Sequence, residues 1–171
     1  MNSLDDVLVH ELQDLLSAER QLVKALPKMS KNANDPRLAS AMDTHLQETE
    51  VHVERIQESL KKLDRSPGRM KCKGMEGLIE EGEELLEMTG EAAAIDLAMI
   101  GAARRVEHYE MAAYMSAIAQ AEAAGHREIA KLLKATLEEE RKTDELLTAL
   151  SREELTELVS ASVEEDGSDG R

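Results

Sequence analysis

A chain of 171 residues has room for one domain with a substantial core, and that core has to be aliphatic, because Phe and Trp are absent and the aromatic residues reduce to Tyr109 and Tyr114. Acids outnumber Lys plus Arg by 36 to 21, a formal charge of −15 whose field repels phosphate backbones and anionic lipid and so argues against nucleic acid and membrane surfaces as partners. The lone Cys72 excludes an intrachain disulfide, and the acidic start MNSLDDVLVH lacks the charge and apolar stretch of a signal peptide, so a cytoplasmic protein is expected.

Ser3 with Asp5 and Asp6 reads as an N-cap and an acidic first turn. It opens an amphipathic helix from residue 4 into KALPKM, with Leu8, Leu12, Leu15, Leu22 and Leu26 inward and Pro27 as a kink or stop. Asp35 and Pro36 supply the next N-cap and first helical position. The second helix reaches about Asp64, burying Leu38, Met42, Val53, Ile56, Leu60 and Leu63. Pro67 and Gly68 then interrupt the pattern, MEGLIEEGEELLEM forms a shorter helix, and Gly90 closes it.

A long helix from Ala92 to Ala124 ends at Gly125, and another runs from His126 to about Leu150. The apolar run AAAIDLAMIGAA inside the former is too short to span a bilayer and contains Asp96. Residues 1–150 thus read as an all-α unit, a ferritin-like four-helix bundle with one long crossover containing an extra short helix. Residues 151–171 read as a short capped C-terminal helix and an acidic disordered tail.

The helical stripes carry acids where apolar residues belong. Glu19 continues the stripe of the first helix; His45, Glu48 and His52 fall on the core side of the second. Glu107, Glu110 and Tyr114 share a stripe with Ile100 and Ala117, and Glu140 shares one with Ile129, Leu133, Thr136 and Leu147, with Asp144 a turn beyond. Glu110 and Glu140 each lie about 15 residues from Gly125, and Glu19 and Glu48 lie about equally far from the turn near Asn34, which puts all four at similar depth. An unpaired buried carboxylate costs several kcal/mol, against a total stability of about 5 to 15 kcal/mol. The stripes offer no Lys or Arg at that depth, and two divalent cations would neutralise the four acids.

The stretches DLLSAERQLVKALPKM, HLQETEVHVERI, MKCKGMEGLIEEGEEL, VEHYEMAAY and KLLKATLEEERKTDELLTAL resemble the YciF-like bacterial stress-protein family of the ferritin-like superfamily. The resemblance implies a homodimer with a dinuclear centre holding two divalent metal ions, iron or manganese. By position it implies Glu48 and Glu140 as bridging acids, Glu19, Glu107 and Glu110 as terminal ligands, and His52 or His45 as nitrogen ligands. Ferritin-like di-iron proteins usually carry His three residues after each bridging Glu; here those positions are Val51 and Thr143, with His52 and Asp144 one residue further on. The expected function is a metal-dependent reaction with oxygen or hydrogen peroxide in stress defence. The alternative is a non-catalytic helical stress protein with a vestigial acidic core, so whether the chain is an oxidoreductase of ferroxidase or peroxidase type stays open at this point.

Overall fold

The computed structural model describes residues 1–168 of the chain, and among them the elements are five helices and no strand. α1 spans Leu4–Asn32, α2 Pro36–Lys62, α3 Lys73–Leu86, α4 Ala92–Ala123 and α5 Arg127–Ser168. α1 and α2 form one hairpin and α4 and α5 the other; α2 packs on α5, α1 on α4, and α3 lies on the outside against α4 and α1. This is the ferritin-like arrangement, with α3 inside the crossover. No helix of the described residues is long and apolar enough to cross a membrane.

The ends of the helices follow from local chemistry. Ser3 Oγ accepts the Asp6 N–H at 3.1 Å and caps α1. Pro27 neither ends α1 nor stops its hydrogen bonding downstream, since the helix continues to Asn32. Asp35 caps α2 by accepting the Arg37 N–H at 2.7 Å, with Pro36 in the first turn. Gly125, at φ 82°, closes α4 in a Schellman turn: His126 N–H donates to Ala121 O at 2.8 Å and Gly125 N–H to Glu122 O at 3.0 Å.

The turn between α1 and α2 is held from across the bundle. Asp96 of α4, 1% exposed, accepts the Asn34 N–H at 2.9 and 3.1 Å, the Asn34 side-chain amide at 3.1 Å and the Asp35 N–H at 2.6 Å. A residue that interrupts an apolar run therefore fixes where α1 turns into α2.

The MKCKG segment is crossover packing. Cys72 N–H donates to Ser17 Oγ at 2.8 Å, Gln21 Nε2 donates to Cys72 O at 3.1 Å, and Cys72 Sγ lies 3.0 Å from Tyr109 Oη. A Cβ on Gly74 would stand 2.7 Å from the Tyr109 ring, which is why a residue without a side chain is placed there. Burial pushes the Cys72 thiol up, away from the nucleophilic thiolate form.

α5 differs from the expected division at residue 150. It runs unbroken through the segment expected to form a separate capped helix, because residues 151–166 contain no Gly or Pro and Ser151 alone does not stop a helix. The end of the expected acidic tail, residues 169–171, lies outside the described residues.

The interior is divided along its length. One apolar cluster contains Leu8, Leu12 and Leu15 of α1, Ile56 and Leu60 of α2, Ala117 of α4, and Leu133 of α5. The other contains Leu22 and Leu26, Leu38 and Met42, Met99 and Ile100, and Leu147, with Met75 of α3. Between them, on all four long helices, lies a layer of buried acids and histidines.

Candidate metal centre

Six polar side chains make up this layer: Glu19 from α1, His45 and His52 from α2, Glu107 and Glu110 from α4, and Glu140 from α5, none more than 2% exposed. Of the four acids whose depth was counted from the turns, Glu19, Glu110 and Glu140 lie in this layer and Glu48 does not. They form two donor groups, His45 with Glu107, Glu110 and Glu140, and Glu19 with His52 and Glu140; within each group the donor atoms lie within 4.8 Å of one another. Glu140 belongs to both.

The contacts are those of donors facing a shared space. His45 Nε2 is 3.2 Å from Glu107 Oε1 and 3.9 Å from Glu140 Oε2; His52 Nδ1 is 3.0 Å from Glu140 Oε1 and 3.6 Å from Glu19 Oε2. None of these contacts has hydrogen-bond geometry: His45 Nε2, His52 Nδ1, Glu19 Oε2, Glu107 Oε2 and both oxygens of Glu110 and Glu140 are buried with no hydrogen-bond partner. Unpartnered buried polar atoms are rare in folded chains, and here six carboxylate oxygens and two imidazole nitrogens converge on one layer. Four carboxylates and two imidazoles are donors of the kind that hold divalent cations, so the two groups, which share Glu140, could hold metal ions.

The electrostatics agree. Burial raises the pKa of Glu19, Glu110 and Glu140, and for Glu110 the charges of Glu19, Glu140 and Glu107 add to it. Burial works against charging His45 and His52, yet the facing carboxylates win: Glu107 holds His45 well above its usual value, and Glu140 and Glu19 hold His52 at about 10. The charged form of both imidazoles is therefore favoured, which offsets part of the acidic charge.

Neighbouring groups orient the donors. Tyr114, fully buried, donates its hydroxyl proton to Glu19 Oε1, leaving Oε2 facing the layer. His52 Nε2 lies 2.9 Å from Glu139 Oε2, which turns Nδ1 toward Glu140 and Glu19. Arg55 holds Glu139 in turn, with Nη2 donating to Oε1 at 3.0 Å and Nη1 donating to Oε2. Glu139 and Arg55 were not among the expected site residues, because the triple Glu138–Glu139–Glu140 reads as a solvated face; the signal that could have found them is Arg55 falling one turn beyond His52 on the same helix.

Two expected residues stand outside both donor groups. Glu48 is 36% exposed and its Oε2 lies 4.0 Å from His45 Nδ1. Thr49 takes the inward position instead, buried with its hydroxyl donating to His45 O at 2.7 Å. The two straddle the stripe, and the charged, longer side chain reaches solvent while the short one satisfies its hydroxyl on the backbone. Asp144 accepts from Arg104 Nε at 2.7 Å and lies 3.4 Å from His108 Nε2, so these α4 side chains hold it away from the layer. Thr143, its neighbour, sits 3.4 Å from His45 Nδ1.

Known proteins share this chain and fold. The family described as "Domain of unknown function (DUF892)" matches residues 3–160. Protein YciF of Escherichia coli K12 is 45% identical over 152 residues, 88% of this chain and 92% of that protein. The crystal structure of the E. coli stress protein YciF superposes with a TM-score of 0.88 at 43% identity, covering 91% of this chain and 99% of that one. YcfI of Rhodopseudomonas palustris gives a TM-score of 0.83 at 36% identity, over 86% and 94% of the two chains. A Xanthomonas campestris protein at 22% identity shares the fold, with a TM-score of 0.73. Sequence and architecture together make this chain a member of the YciF-like DUF892 family.

Proposed function

We propose that this chain is a dinuclear metal protein that reacts with oxygen or hydrogen peroxide, a role consistent with the stress-protein description of its E. coli relative. The observation that carries the reading is the convergence, from four helices, of two buried donor groups on Glu140 with their lone pairs unsatisfied. Bound iron or manganese would supply redox and Lewis-acid chemistry.

The chain's own residues do the rest. Glu19, His52 and Glu140 would hold one ion; His45, Glu107, Glu110 and Glu140 would hold the other. Tyr114 fixes the free oxygen of Glu19, and the Arg55–Glu139 pair fixes the nitrogen that His52 presents. The apolar clusters on either side keep bulk water away from the layer.

A second reading, a non-catalytic helical stress protein with a weakly occupied acidic core, has its own support. Thr49 and Thr143 stand near the layer where further ligands could have stood, and the two imidazoles already offset part of its charge. Metal content separates the readings. Protein purified without chelator, then supplied anaerobically with ferrous or manganous ion, should hold about two ions per chain, and Glu140→Ala should lose most of them because both groups use that residue. The iron-loaded protein should then consume oxygen or peroxide faster than ferrous ion alone. Less than about a tenth of an equivalent, unchanged by Glu140→Ala, refutes metal binding and leaves the second reading.

A further inference from the structure

Donors that are no more than 2% exposed need a route by which an ion reaches them. A cleft of about 480 Å³ opens between α2 and α5, walled by Arg37, Thr44, His45, Glu48, Lys142 and Thr143. His45 belongs both to this cleft and to the buried donor group, and its orphaned Nε2 faces Glu107 and Glu140 while its Nδ1 faces Thr143 and Glu48. The cleft thus ends against a ligand of the layer.

The cations on its walls are directed to other acids. Arg37 pairs with Asp35 and Glu153, and Lys142 lies 4.0 Å from Glu138. Glu48 is the carboxylate on the wall, 36% exposed, one side chain removed from the buried donors and in neither donor group. A group so placed can meet a hydrated ion and still stay out of the finished site.

We propose that the α2–α5 cleft is the access port of the centre and that Glu48 is its transit ligand, binding an arriving hydrated divalent cation before the buried donors take it. Carboxylate oxygen would replace water in the cation's shell at Glu48, and the carboxylates and imidazoles of the layer would replace the remainder, the imidazoles releasing their protons to solvent. The inference rests on the metal-binding reading above.

Anaerobic cobalt(II), mixed with the chelator-stripped full chain and followed by its visible absorption, reads both the rate of uptake and the final cobalt per chain. Glu48→Gln removes the transit charge, and Thr44→Trp, at an exposed wall position, fills the cleft. Each should slow uptake about tenfold, with final cobalt per chain as in the parent. Glu58→Gln, an exposed acid elsewhere on α2, should leave the rate unchanged and so controls for net charge. Uptake by both cleft variants within about twofold of the parent overturns the port. Slowing by Thr44→Trp alone overturns the part given to Glu48, and lower final cobalt in Glu48→Gln makes Glu48 a resident ligand instead. A parent that takes up no cobalt removes the metal-binding reading itself, and the port falls with it.

Discussion

Asp96 is one buried carboxylate whose worth can be worked out without any metal. It accepts four contacts from the α1–α2 turn, from the Asn34 and Asp35 N–H groups and the Asn34 side-chain amide. Hydrogen bonds to a charged acceptor are worth roughly 1.5–3 kcal/mol each, but these share two oxygens and do not add. Asn34 is exposed, so water can rehydrate part of the turn once the carboxylate is gone. Asp96→Ala should therefore cost about 3 kcal/mol, a large part of a domain stability of about 5–15 kcal/mol. For a domain of this size that is a fall in Tm of roughly 6–12 °C.

Asp96→Asn should recover little of it, because its amide brings a donor up against N–H donors. The assay is thermal unfolding followed at 222 nm, in chelator and at one fixed protein concentration, so that neither metal nor association shifts the curve. A fall under about 2 °C for Asp96→Ala, or full recovery by Asp96→Asn, refutes the reasoning.

Two further predictions test the surroundings of the site and its pH dependence. Glu139→Gln should weaken metal binding about 10- to 100-fold in competition with a chelator, since it loosens the nitrogen that His52 presents; unchanged affinity would show that Glu139 only packs. Arg37 and the capped backbone N–H pull the Asp35 carboxyl down to about 2, below its unfolded value of 3.8. Its contribution is therefore complete above the unfolded value and disappears as pH falls through about 2, so urea midpoints of the parent and Asp35→Ala should differ at pH 5 and converge toward pH 2. A constant difference across that range contradicts the assignment.

The helices were legible because their punctuation is local. Asp35 with Pro36, and Gly125, do in the fold what those residue types do anywhere, and the stripe of Leu8, Leu12, Leu15, Leu22 and Leu26 is buried throughout. Glu19, Glu107, Glu110 and Glu140 were legible for the same reason, lying on helical stripes that the fold buries. The choice between Glu48 and Thr49 was not. Neighbours on a helix are about 100° apart, so both flank the stripe, and a period cannot say which turns inward. Asp144 was lost to Arg104 and His108, partners on another helix that spacing within α5 does not reveal. Glu139 escaped because its role exists only through contacts with α2. The continuity of α5 was masked by a serine that resembles a cap yet sits inside a helix.

The polar layer across the middle of the bundle has a consequence for its mechanics. Apolar cohesion is gathered at two ends, above and below a waist where little oil-like surface is hidden. A breathing motion at the waist uncovers few hydrocarbon groups, so without an ion little apolar cohesion opposes the parting of the helices there. An ion bridging the waist would rivet the helices together where side-chain packing holds them least.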